Sequence, residues 1–379
     1  MSWSWRIGRI AGIDVYVHFT FLLLLGWLAI AHYTARGDWG DAMSGVGFML
    51  ALFGIVVLHE LGHALAARRF GIQTRDITLL PIGGVARLER IPEHPWQELI
   101  VALAGPAVNV VLAASIYLGL SFDRGLFEVS EAARVGGQFL AQLFWVNVTL
   151  AVFNLLPAFP MDGGRVVRAL LAMRMDHVRA TQIAASLGQG MAILFLIWGL
   201  FGNPFLMFIA LFVWLGAAQE ASMVQIRAAL SGIPVEGAMV TKFHTLRPDD
   251  PVARAAELFR EGFQQDFPVV GDNGSLVGIV TRTDLAAALA ANQTMVKIRE
   301  VMQTDFKTTS PREMLHTAFD HLQESDCHTL PVVNDSGRLV GLLTADNVAD
   351  VLMIQVSRPG AQRQRSIMTP AGRELAPAP

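Results

Sequence analysis

Within VVLHELGHALAARRF, residues 56–70, His59 and His63 stand four residues apart, with Glu60 beside the first. On a helix, a spacing of four puts two side chains on one face, one turn apart. Both imidazoles can then reach a single metal ion. Glu60 lies about 100° round from His59, close to the coordination position that the histidines leave open. H-E-x-x-H therefore supplies two zinc ligands and a carboxylate able to deprotonate a water that the metal polarises. The trio closes a long apolar run, and ionisable groups at membrane depth are costly enough to imply a function.

A catalytic zinc usually takes three protein ligands and keeps one position for water. The candidate third ligand is Asp162, in FNLLPAFPMDGGR (residues 153–165). Pro157 and Pro160 are expected to break a helix just before it. Gly163 and Gly164 are expected to allow backbone geometry that other residues resist. A broken backbone at membrane depth is tolerated where protein or a water cavity covers it, and hydrolysis needs water.

The elements that must position these groups are apolar helices. The chain of 379 residues is 53% hydrophobic and only 16% charged, against ~25% charged in a soluble globular protein. Its mean hydropathy is +0.44. Residues 1–225 hold six apolar segments, roughly 15–33, 43–67, 99–121, 137–159, 183–201 and 204–222. Each is about long enough to cross a ~30 Å hydrocarbon core as a helix. Arg6, Arg9, Arg68, Arg69, Arg75, Arg87, Arg90, Arg165, Arg168, Arg174 and Arg179 fall on one side of these segments, and Arg36, Arg124 and Arg134 on the other. The positive-inside rule then puts the N-terminus in the cytosol. It also puts His59, His63 and Asp162 in the cytosolic third of the membrane and everything after the sixth segment in the cytosol. Two readings of the first segment stand: a retained helix, favoured by Asp14 and the further segments, or a cleaved signal peptide ending near Ala29-Ile30-Ala31.

LHELGH at 58–63 with NLLPAFPMDGG at 154–164 resembles the site-2 protease family of intramembrane zinc metalloproteases, peptidase family M50. By that resemblance His59, His63 and Asp162 bind one Zn2+ per chain and Glu60 is the general base. Asn154 holds the substrate or the oxyanion, unless it makes only an inter-helix hydrogen bond. LPIGGVARLER, residues 80–90, stands where the family has a G-G-containing β segment, which would hold an unwound substrate by strand addition; the alternative is an ordinary cytosolic hairpin. ALAGPAVN, residues 102–109, resembles the family's G-P-x-x-N segment. Ala104, Gly105 and Ala107 there favour close helix packing, and Asn109 is a further site candidate.

An offset of 63 residues aligns the rest of the chain with itself. Met239 matches Met302, Pro248 matches Pro311, Gly278 matches Gly341 and Thr281 matches Thr344. Each unit reads as strand, helix, strand, strand, helix, with a hairpin turn at Asp272–Gly274 in the first. The pair resembles tandem CBS domains, a Bateman module that binds adenine nucleotides such as ATP or AMP. GIVTRTD would supply Thr281 to phosphate and Asp284 to ribose, and GLLTADN would supply Thr344 and Asn347. The alternative is a pair that only dimerises or scaffolds.

The expected architecture is thus a polytopic α-helical membrane domain of six transmembrane helices over 1–225. CBS domains at 226–292 and 293–357 and a disordered tail at 358–379 follow. The expected function is an intramembrane zinc metalloprotease of the cell membrane, cutting a membrane-protein substrate and modulated by adenine nucleotide. A homodimer through the CBS domains is a further expectation. The alternative is a CBS-regulated channel or transporter without proteolytic activity. The net charge of −3 and the lack of a basic stripe give no footprint of nucleic-acid binding. The single cysteine, Cys327, excludes an intramolecular disulfide.

Overall fold

The computed structural model describes residues 3–81, 83–88, 94–123, 131–262, 264–325 and 327–356. The expected tail at 358–379, Arg90 and Arg124 lie outside these residues. By its contacts the chain divides into two compact units at Val224/Gln225.

The first unit opens with strands β1 (Ser4–Ile10) and β2 (Ile13–His18), followed by helices α1 (Phe19–Arg36) and α2 (Trp39–Arg68). Strands β3 (Thr74–Leu80) and β4 (Gly83–Leu88) complete a four-stranded sheet in the order β1-β2-β3-β4. The pair β2–β3 is parallel and the outer pairs are antiparallel. The apolar segment expected as a helix from residue 15 thus begins as a strand. IDVYVH alternates, with Ile13, Val15 and Val17 buried, the period of a sheet with one covered face. That face packs on α2: Val15, Val17 and Leu79 meet Phe53 and Val57, while Ile13 and Ile77 meet Ala64.

Helices α3 (Pro95–Asp123), α4 (Glu131–Asn154), α5 (Asp162–Ala172), α6 (His177–Phe201) and α7 (Phe205–Leu230) follow. Trp39–Arg68, Pro95–Ser121, His177–Phe201 and Phe205–Leu230 are long and apolar enough to cross a membrane. The apolar helices over Phe19–Ala35 and Gln138–Asn154 are shorter. The fourth expected segment, 137–159, is helical only to Asn154 and continues as a non-helical loop over 155–161. Pro157 explains the stop, because proline cannot donate to the preceding turn and clashes with it.

In the second unit, α8 (Val252–Glu261), β5 (Phe267–Val270), β6 (Leu276–Val280) and α9 (Arg282–Ala290) form the first repeat. A single turn, α10 (Ile298–Val301), leads to the second: α11 (Leu315–Glu324), β7 (Thr329–Val333), β8 (Leu339–Thr344) and α12 (Ala345–Val356). The leading strand expected in each repeat is reduced to a parallel bridge, Leu246 to Val269 and Thr309 to Val332. The two repeats also exchange segments: Val240 bridges to Leu342, and Gln303 to Ile279. Each repeat has its own apolar core, around Phe267 and Val280 in the first and Leu330 and Leu343 in the second.

Candidate active site

Helix α2 carries the first two predicted ligands. Phe53, Val57 and Ala64 face the sheet; His59 and His63 project about 120° round the helix from them and meet α3. The two helices approach closely. A Cβ on Gly62 would stand 2.8 Å from the Ala104 carbonyl oxygen, and one on Gly105 only 2.2 Å from His63 Nε2. Position 105 is thus glycine to leave room for the imidazoles, a sharper requirement than the helix packing expected of it.

Asp162 reaches the same place from the other side, as the first residue of α5. The loop before it is held on three sides. A Cβ on Gly164 would meet Ala158 and Phe159 backbone at 2.7 Å, one on Gly188 of α6 the Ala158 Cα at 3.3 Å, and one on Gly216 of α7 the Pro160 Cδ at 2.5 Å. Gly163 and Gly164 are helical, so the expectation of unusual backbone geometry is replaced by one of space. A Cβ on Gly163 would stand 2.2 Å from the Leu156 carbonyl oxygen.

The structure brings three predicted residues together. His59 Nε2 and His63 Nε2 are 3.1 Å apart, and they lie 3.2 and 3.1 Å from Asp162 Oδ2. All three residues are buried. Each ring's other nitrogen is engaged: His63 Nδ1 donates to the Val101 carbonyl at 2.7 Å and His59 Nδ1 to Asn109 Oδ1 at 2.5 Å. In the neutral rings both Nε2 atoms are then lone pairs, and with the carboxylate oxygen they converge on one point. Such a set calls for a cation. Donors on a tetrahedral zinc with bonds of about 2.0–2.1 Å would stand ~3.3 Å apart, and the observed triangle fits.

Asn109, a lesser candidate in the sequence, proves to be the partner of His59. It is fully buried, and its Nδ2 donates to Asn147 Oδ1 at 3.0 Å, whose own amide donates to the Leu143 carbonyl. Asn147 carries no motif that would have marked it. Glu60, half-buried, lies next to β4, where a Cβ on Gly84 would be 3.0 Å from its Cγ. Strand β4 ends the sheet and pairs only with β3 among the described residues. Ile82, Glu89 and Arg90 of the expected β segment lie outside those residues. Asn154 ends α4, half-buried, outside the hydrogen-bonded set around His59 and Asp162.

The predicted nucleotide residues occur as matched pairs. Thr281 caps α9 in a capping box with Asp284. Asp284 Oδ2 accepts from Thr281 Oγ1 at 2.6 Å, from the Thr281 amide at 3.1 Å and from Gln303 Nε2 at 2.9 Å. In the second repeat Asn347 Oδ1 accepts from Thr344 Oγ1 at 2.6 Å and from its amide at 3.3 Å. T-x-x-D thus has a local helix-capping role besides the one expected of it. Val240 holds the repeat position of Gln303, so no glutamine amide reaches Asn347 from there.

Comparison with known proteins covers both units. The profile of Peptidase family M50 matches residues 47–197, and that of the CBS domain matches 235–291 and 298–354. A zinc metalloprotease of Methanocaldococcus jannaschii is 34% identical over 281 residues, 74% of this chain and 78% of its own length. A Synechocystis protein named as a candidate zinc metalloprotease is 28% identical over 92% of this chain and 95% of its own. Among solved structures, the site-2 protease of Methanocaldococcus jannaschii aligns with a TM-score of 0.43 and 36% identity, covering 58% of this chain and 95% of that one.

Proposed function

The chain belongs to peptidase family M50, the zinc metalloproteases of site-2 protease type, and carries two CBS domains; from that premise we propose that it hydrolyses a peptide bond in or near the transmembrane segment of a membrane protein, with His59, His63 and Asp162 as zinc ligands and Glu60 as general base. The channel or transporter alternative falls with family membership. The observation that carries the assignment is the closed triangle of Nε2, Nε2 and Oδ2 donors, 3.1–3.2 Å on each side.

His59, His63 and Asp162 would hold a zinc ion, which would supply Lewis acidity toward the scissile carbonyl and the attacking water. Glu60 takes a proton from the attacking water and passes it to the leaving amide nitrogen as the C–N bond breaks. Asn109 and the Val101 carbonyl hold the two imidazoles in the tautomer that presents Nε2. The edge of β4 beside Glu60, unpaired among the described residues, accepts the unwound substrate as an added strand, and Asn154 steadies the substrate or its developing oxyanion. Apart from Arg168, which is buried, the arginines between the apolar segments support a reading of six spans with the N-terminus, the site and the CBS domains on the cytosolic side of the cell membrane.

The CBS pair takes an adenine nucleotide, ATP or AMP, through Thr281 and Asp284 and through Thr344 and Asn347, and modulates cleavage. A second copy of the chain, docked through the CBS domains, is a further partner. The deciding experiment co-expresses a tagged membrane-protein substrate with the wild type or with Glu60→Gln. The variant should lose ~10²–10⁴ of the rate and keep its zinc. Equal processing by both would remove Glu60 from the mechanism.

A further inference from the structure

The scheme above leaves unused the largest fully buried side chain among the described residues, Arg168 on α5, which is 1% exposed. Its Nε and Nη2 donate to Glu98 Oε1 of α3 at 2.7 and 2.5 Å, and its Nη1 donates to Glu220 of α7. Its guanidinium carbon sits 5.1 Å from the Phe159 ring centroid. Glu98 is itself buried. Two charges, Arg168 and Glu98, are thus withdrawn from solvent in a unit otherwise rich in apolar side chains, and a third, Glu220, is half-buried beside them. Helix adhesion does not account for them, since well-packed apolar residues of similar volume often replace a buried ion cluster without loss of stability.

The placement of the four residues gives the cluster a purpose. Glu98 stands one turn before Val101, whose carbonyl takes the Nδ1 proton of His63. Arg168 stands six residues after Asp162 on the same short helix, and Phe159 belongs to the loop that delivers Asp162. Glu220 stands one turn beyond Gly216, against which Pro160 rests. One rigid, planar guanidinium therefore connects the carbonyl that orients one ligand to the helix that bears another. Apolar contact resists separation of helices but has little directionality. A fork of N–H donors also fixes rotation and sliding.

We propose that Arg168, with Glu98 and Glu220, is a positioning residue that sets α5 against α3 and so fixes the distance of Asp162 from the two histidines. The inference rests on reading His59, His63 and Asp162 as metal ligands.

The test uses the full-length protein in detergent and three readouts: thermal melting, metal affinity by chelator competition, and the visible absorption spectrum of the Co2+-substituted site. The apolar variant Arg168→Met/Glu98→Leu/Glu220→Met should keep wild-type melting while its metal affinity falls roughly 10- to 100-fold and its cobalt spectrum changes. Arg168→Lys keeps the charge without the planar fork, so it provides a folded comparison should the triple variant fail to fold. It should fall between the two in affinity and shift the spectrum. Wild-type affinity and spectrum in either folded variant would overturn the proposal and leave the cluster as a structural tie. His59→Ala separates the two levels. If it loses the metal while the Arg168 variants do not, only the positioning role is lost; if it binds metal as the wild type does, the ligand assignment and the proposal fall together.

Discussion

His59 Nδ1 donates to Asn109 Oδ1 across 2.5 Å, joining α2 to α3 at fully buried Asn109, whose amide is in turn held by Asn147. The bond settles which imidazole nitrogen faces the site, because a ring that donates from Nδ1 presents a lone pair at Nε2. Asn109→Leu removes the acceptor while keeping the branched shape of the side chain. Metal affinity should fall roughly 10- to 100-fold, read by chelator competition. Asn109→Asp, which keeps an acceptor oxygen, should lose less. Equal affinities for wild type and Asn109→Leu would refute the role.

Gly105→Ala tests the space rather than the bond. Its Cβ would fall 2.2 Å from His63 Nε2 and 2.7 Å from His59 Nε2, so at least one ligand must move. The expected result is loss of bound zinc and of cleavage with the helices still formed by circular dichroism. Gly119→Ala, on the same helix with nothing within 4 Å of its added carbon, is the control. It should be neutral or stabilising by up to ~1 kcal/mol.

Gly84→Ala should divide catalysis from metal binding. The added carbon would press on Val56 Cγ1 at 2.9 Å and on Glu60 Cγ at 3.0 Å, without approaching a ligand. Zinc content should match the wild type while turnover drops, by up to ~100-fold if the carboxylate is displaced by about 1 Å. Parallel loss of zinc would instead show that β4 supports the ligands.

In the CBS pair the threonines carry two roles that one substitution can separate. Thr281→Ala removes the capping box of α9, worth about 1 kcal/mol, and should raise hydrogen exchange in that helix. If Thr281 also meets phosphate, AMP binding to the full-length protein, measured calorimetrically, should weaken as well. Asn347→Asp restores to the second repeat the carboxylate of the first and should strengthen its nucleotide affinity. Wild-type nucleotide binding by Thr281→Ala would leave only the capping role.

The H-E-x-x-H spacing was legible because it is a property of one helix: four residues make about one turn wherever the helix lies. Asp162 was legible through its neighbours, since two prolines before and two glycines after mark a broken helix. The reason offered for those glycines was not legible. Their backbone is ordinary, and what forbids a side chain is the carbonyl of Leu156 and the backbone at Ala158 and Phe159. The strand over Ile13–His18 was hidden because its alternating apolar residues run directly into the apolar helix that begins at Phe19.

By itself the sequence determined what local periodicity and motif chemistry can specify: an apolar first part, a duplicated second part, a pair of histidines on one helix face and a carboxylate at a helix break. Only the tertiary structure decided that Asn109 and Val101 orient those histidines, that Gly105 makes room for them, and that Arg168 is buried between Glu98 and Glu220. The division has a physical basis. Spacing along one helix is fixed by backbone hydrogen bonds between near neighbours. The contacts 38, 50, 52 and 70 residues apart in the chain exist only once α2, α3, α5 and α7 have packed, and no local pattern encodes which side chains then meet.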